Sequence, residues 1–157
     1  MIPEEPKPTP APIEEPIFDQ SQCSNDPKEK AYFNEIMGKK KFKTVLRYKA
    51  SRDGWKAADF HRMSDGKGPT VSLFKIKDND QCVGGFTSAE WSSPEKYTYV
   101  TDSTAMLFNL TTRKLFKCNK HENAIKCYRG EGPRFGDGEL AAFEPFNGDN
   151  KCCSWSY

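Results

Sequence analysis

Three features in one short stretch invite a chemical reading: an Arg52-Asp53 pair, then His61, then Lys67 between Gly66 and Gly68. A glycine-flanked lysine is the mark of a phosphate-cradling loop. That loop follows a strand, opens a helix and needs Ser or Thr directly after the lysine. Here a helix is expected before it and a strand after it, and Gly68 takes the place of the hydroxyl. The pattern therefore reads as a turn. His61 has a side chain suited to general-base work, but no Cys or Ser motif stands beside it. Next to Phe60 on a short helix, it reads as a hydrogen-bonding residue of a core or turn.

Other constellations are weaker. Cys118, His121 and Cys127, with Cys152-Cys153, offer zinc-ligating side chains, but the chain has no Cys-x-x-Cys pair. Adjacent cysteines close only a strained disulfide, which makes Cys152-Cys153 a poor redox pair. Asp78-Asn79-Asp80 lacks the glycine and distal glutamate of a calcium loop. Gly130, Gly132, Gly136 and Gly138 do not open a helix, so they are no dinucleotide fingerprint. Glu131, Asp137, Glu139 and Glu144 read as a solvated acidic face. Tyr97, Tyr99, Phe108 and Phe116 alternate along the chain and read as core rather than as a base-stacking platform. The expectation is a non-enzyme with no cofactor, no metal and no nucleic-acid partner.

The elements that position these residues follow from composition and periodicity. The chain has 157 residues, 36% of them apolar and 13% aromatic, enough for one domain and an arm. Prolines at 3, 6, 8, 10, 12 and 16 predict an extended arm over residues 1–25, without a core of its own. Residues 1–29 hold seven acids against two lysines, −5, which leaves +7 on the rest of a chain whose net charge is +2. An acidic arm on a mildly basic domain suits self-docking, a partner with a basic surface, or simple solubility. Ile13, Ile17 and Phe18 are candidate docking anchors on the arm, with Trp155 and Tyr157 at the other end of the chain.

Asp26 as cap, Pro27 at the first helical position and Gly38 as a stop predict a helix over residues 26–38, with Tyr32, Phe33, Ile36 and Met37 on one apolar face. The β domain is expected over 39–157. Strands are predicted at Phe42 to Tyr48, Thr70 to Lys77, Gln81 to Ser88, Ala105 to Leu110, Lys114 to Cys118, Ala124 to Tyr128, Glu139 to Phe143 and Cys152 to Tyr157, separated by turn residues. Gly84-Gly85 within the third of these signals a bulge or a close backbone approach. Seven or eight short strands with two helices predict a mainly β fold with short helices, a two-sheet antiparallel β-sandwich. No run approaches the ~20 apolar residues of a membrane span. The acidic, proline-rich start is unlike a targeting segment, so a cytoplasmic location with reduced thiols is expected.

Several of these residues, in order, resemble a TLDc domain: Ser51-Arg52-Asp53-Gly54-Trp55, Phe60-His61, then Asp65-Gly66-Lys67-Gly68-Pro69-Thr70. Gly84-Gly85-Phe86-Thr87-Ser88 with Trp91, and Gly132-Pro133-Arg134-Phe135-Gly136, are similar to the family's later motifs. The resemblance runs from about Phe42 to Tyr157. It implies a β-sandwich flanked by short helices, a link to oxidative-stress resistance, and protein partners such as the vacuolar-type proton ATPase. It brings no catalytic centre, so the motif residues are read as structural. TLDc domains usually continue past Asn147 to Tyr157 into a further strand; an edge without it would be completed by a partner's strand, replaced by the N-terminal region, or supplied by residues beyond Tyr157.

The expectation is thus a non-catalytic interaction module, monomeric unless incorporated into a large assembly. A structural subunit of a cytoskeletal or ciliary assembly is the alternative. A thiol-based redox enzyme ranks last.

Overall fold

Residues 24, 26–38, 42, 44–144 and 146 are described by the computed structural model. Thr70–Lys75 (β1) and Cys82–Thr87 (β2) form the first hairpin, paired without interruption from Thr70 opposite Thr87 to Lys75 opposite Cys82. Its turn is built by Asn79, whose side chain accepts the Gln81 amide at 3.1 Å, and by Asp80 in the left-handed region. Met106–Asn109 (β4) continues the sheet beside β2, and Lys114–Lys117 (β5) closes it, in the order β1-β2-β4-β5. A second antiparallel sheet has the order β3-β6-β7-β8: Thr98–Val100, Ile125–Cys127, Glu131–Phe135 and Leu140–Phe143. The expected two-sheet, mainly β architecture is what the chain adopts.

The main core lies between the sheets. Val83 of the first sheet meets Ile125, Cys127, Phe135 and Leu140 of the second, with Trp91 and Phe60 among them. Edge-to-face contacts run from Tyr48 to Phe60, Trp91 and Phe135 with centroid spacings of 5.6–5.7 Å, a geometry favoured by the ring quadrupole. The Trp91 indole nitrogen donates to Thr70 Oγ1 at 2.9 Å, so the buried ring leaves no orphaned donor.

A second core covers the outer face of the first sheet. Helix Pro27–Ile36 (α1) begins as its sequence predicts, with Asp26 accepting the Lys28 amide at 2.8 Å and Pro27 in the first turn. Its Tyr32 and Phe33 pack on Cys82, Phe108 and Leu110. Gly84 and Gly85 lie where both cores press on one strand. A β-carbon on Gly84 would sit 2.7 Å from the Phe108 ring, and one on Gly85 would sit 2.5 Å from the Phe135 ring. The glycine pair therefore marks a close approach from both sides, and the unbroken register shows no bulge there.

Three expectations need correction. The described residues between Phe42 and Tyr48 form no strand, although exposure does alternate along them. Phe42 packs on Phe33 in the α1 core while Tyr48 packs on Phe60 in the main core. Their spacing thus reflects two separate anchors, with no partner strand. Glu131–Phe135, where no strand is predicted, is strand β7, and Pro133 is accommodated by a register shift between Glu131 and Arg134. A proline inside a sheet is expected at such a bulge, where its missing donor breaks no ladder bond. Residues 98–100, where no strand is predicted, form β3. The predicted strand Cys152 to Tyr157 lies outside the described residues.

Candidate interaction surface

The corner from Ser51 to Thr70 is built by two short helices, Ala50–Asp53 (α2) and Ala57–Ser64 (α3). Ser51 and Arg52 are exposed on α2. Asp53 turns back to accept the Lys49 amide at 2.8 Å and two guanidinium bonds from Arg52 at 2.7 and 2.8 Å. The Arg52 hydrogen bonds beside it hold the Asp53 carboxyl down at about 2. Gly54 has φ 118°, and a β-carbon there would stand 2.1 Å from an Asp59 oxygen. The Gly54 carbonyl accepts the Tyr48 hydroxyl at 2.7 Å. Trp55, 43% exposed, holds the Phe146 amide on its carbonyl at 3.0 Å, and Glu144 accepts the Ala57 amide at 3.3 Å.

His61 is buried, with Nδ1 2.7 Å from Asp65 Oδ1 and Nε2 3.0 and 2.9 Å from the Tyr128 and Glu131 carbonyls. An imidazole so enclosed ties α3 to the β6–β7 turn. Gly66 donates to the Trp91 carbonyl at 3.0 Å, and Lys67, Gly68 and Pro69 lead from α3 into β1. Helix before and strand after is the reverse of a phosphate loop. Phe86 packs in the α1 core, and Gly132 lies under the Phe146 ring. Gly136 donates to the Ala124 carbonyl at 3.0 Å beyond β7.

Cys118, His121 and Cys127 fall apart. Cys127 is buried on β6, His121 begins a 3-10 turn, and Cys118 donates to the Lys120 carbonyl at 3.4 Å. Among the described residues no group of three His, Cys, Asp or Glu could hold a metal ion. Burial pushes the Cys127 thiol up, which makes it a poor nucleophile.

Sequence reasoning missed Asp102. It is buried, yet accepts from the hydroxyls of Thr87, Ser88 and Thr104 at 2.6, 2.9 and 2.6 Å and from the Ser88 and Thr104 amides at 2.7 and 2.8 Å. Burial alone would raise its carboxyl, but the Thr104, Thr87 and Ser88 hydrogen bonds outweigh it and hold the group well below the ordinary range. The run Thr87-Ser88 against Asp102-Ser103-Thr104 carried the only available signal.

Among the described residues the most exposed aromatic grouping lies on the outer face of the second sheet, where Tyr97 and Tyr99 are 51% and 40% exposed. The reading of these two as core is overturned; Phe108, from the same set, is fully buried. Lys126, paired with Tyr99 across β3 and β6, places Nζ 4.7 Å from both tyrosine ring centroids. Tyr128 stacks obliquely on Tyr97 at 4.4 Å, and Arg134 lies over Tyr97 and Phe143 at 5.7 Å. Because of the β7 bulge, Glu131 and Arg134 share this face and pair at 2.8 Å. Glu131 also accepts the Tyr97 hydroxyl at 2.7 Å, and Asp137 accepts that of Tyr99. The four acids read as one solvated face therefore have separate partners, with Glu131 itself buried.

Ile13, Ile17, Phe18, Trp155 and Tyr157 lie outside the described residues, as do Cys152 and Cys153. No described helix is long and apolar enough to cross a membrane. Neither the curated protein sequences nor the solved structures yielded a match. The sequence profile of one family does match, from residue 17 to residue 155, and so takes in α1 as well as both sheets. Together with the Ser51-Arg52-Asp53-Gly54-Trp55 corner and the paired glycines between two cores, that match shows that the chain belongs to the TLDc domain family.

Proposed function

We infer that the chain is a non-catalytic TLDc-type protein-binding module that works within a larger assembly by surface recognition. The observation that carries this reading is the outer face of the second sheet, where exposed Tyr97 and Tyr99 are interleaved with Lys126 and Arg134. Tyrosine and arginine held rigid in this way dominate protein interfaces, because they bring contact area at little cost in ordering. Membership of the family supports a finer reading, in which the module serves oxidative-stress resistance through the vacuolar-type proton ATPase on its cytoplasmic side. The burial of Cys82 and Cys127 argues against those two thiols as the reacting groups of a redox enzyme.

The test is capture of the vacuolar-type proton ATPase by the full chain and by its Tyr97→Ala/Tyr99→Ala variant. Capture by the first and its loss in the second, with both folded, is the expected result. Equal capture would overturn the role of the face, and no capture by either would overturn the choice of partner.

A further inference from the structure

The tyrosine face of the second sheet carries a cation without a direct carboxylate partner among the described residues, Asp137 reaching it only through the Tyr99 hydroxyl. Among the described residues, Lys126 Nζ has the Tyr99 hydroxyl at 3.1 Å as its hydrogen-bond partner and no carboxylate within ion-pair distance. Arg134, beside it, is matched by Glu131. A ligand for this face therefore needs flat apolar groups for the two exposed rings and a carboxylate for Lys126. Proline-rich segments in the polyproline conformation are recognised in this way, by aromatic side chains, and are ordered at low entropic cost.

The chain itself contains such a segment. Residues 1–18 carry the triplet Glu-Glu-Pro twice, at Glu4-Glu5-Pro6 and Glu14-Glu15-Pro16, with Pro8, Pro10 and Pro12 between them. The segment is tied to the domain by α1, which lies on the outer face of the opposite sheet. From Pro6 to Ser24 there are about 18 residues, spanning roughly 55 Å at the polyproline rise of ~3.1 Å. Two stacked sheets are only about 10 Å apart, so the tether reaches round the sandwich with slack. Its tethering also gives a weak contact a high effective concentration.

We propose that the tyrosine–cation face of the second sheet docks the chain's own acidic proline-rich segment, with a proline packed on the exposed rings of Tyr97 and Tyr99 and a glutamate of a Glu-Glu-Pro triplet on Lys126. A partner that uses the same face must then displace the segment. The proposal concerns the face and not the identity of that partner, so it stands or falls without the proton ATPase.

Tyrosine nitration of the full chain, mapped residue by residue, tests it against a variant with Glu4, Glu5, Glu14 and Glu15 all changed to Lys. A segment docked four-fifths of the time protects the rings about fivefold, so nitration of Tyr97 and Tyr99 is expected to rise by about that factor in the variant while buried Tyr32 is unchanged. In the reciprocal measurement, Lys126→Glu is expected to speed cleavage by a glutamate-specific protease at the Glu4-Glu5 and Glu14-Glu15 bonds. Unchanged rates in both, in variants with the wild-type thermal midpoint, would overturn the proposal. Protection that disappears on dilution would overturn it in favour of a second copy's segment.

Discussion

The two sheets solve the same problem in opposite ways. Each has an inner face in the shared core, yet the outer face of the first is largely covered by α1 while that of the second keeps its aromatics in reach of solvent. On the first sheet the outer side chains are Val71, Leu73 and Phe86, which have nothing to offer water and need a lid. On the second they are tyrosines, a lysine and an arginine, whose polar ends are taken up by Glu131, Asp137 and one another. The difference teaches where stability and recognition reside: residues under a helix hold the fold, and aromatics held by cations remain available to a ligand.

The sharpest way to break this contrast is to truncate one residue on each side. Phe33→Ala empties a fully buried site between α1 and Phe108 and is expected to cost about 3–5 kcal/mol in urea unfolding. If it costs no more than Tyr99→Ala, the covered and open faces are not energetically distinct. Next in size, Asp102→Asn leaves hydroxyls and amides facing an uncharged acceptor and should cost about 2 kcal/mol.

The same variant sharpens the pH dependence. Both Asp53 and Asp102 have native carboxyls held below an unfolded value near 3.9. The unfolded chain binds the extra protons, so this stability is fully present above about pH 4 and is lost as pH falls towards the native value, about 2 for Asp53. Chemical unfolding followed between pH 2 and 5 should show a shallower slope for Asp102→Asn than for the wild type.

Smaller still, Glu131→Gln weakens the largely buried pair with Arg134 but keeps an acceptor there, and is expected to cost about 1 kcal/mol in urea unfolding. Smallest is Tyr99→Phe, which removes one exposed hydroxyl and should change the thermal midpoint by an amount equivalent to less than about 0.5 kcal/mol. A large loss there would mean that the second sheet's outer face is a core in its own right.

Much of the architecture was legible before any coordinates. The β1–β2 hairpin, β4, β5, β6 and β8 fall within predicted strands because alternation and turn residues act locally. Helix α1 was readable for the same reason, through Asp26, Pro27 and the Tyr32-Phe33 face. What could not be read depends on long-range geometry. Alternation shows that Tyr97 and Tyr99 share a face but not whether that face points inward, so their exposure had no local signal. Pro133 and its glycine neighbour disguised β7, and only the bulge brings Glu131 and Arg134 together. Phe42 and Tyr48 have strand spacing because each reaches for a different core. The Asp102 cluster joins residues from either side of β3, a proximity that no short motif encodes.

The glycine pair in β2 has a bearing on how the protein comes apart. At Gly84 and Gly85 the first sheet has no side-chain thickness, and the Phe108 and Phe135 rings lean on the same two residues from opposite sides. Phe108 belongs to the layer gripped by α1, and Phe135 to the second sheet. Loosening either ring withdraws support from the strand that both cores share. This shared support predicts that the helix layer and the two sheets open as one unit, with the amides of β2 expected among the slowest to exchange with solvent.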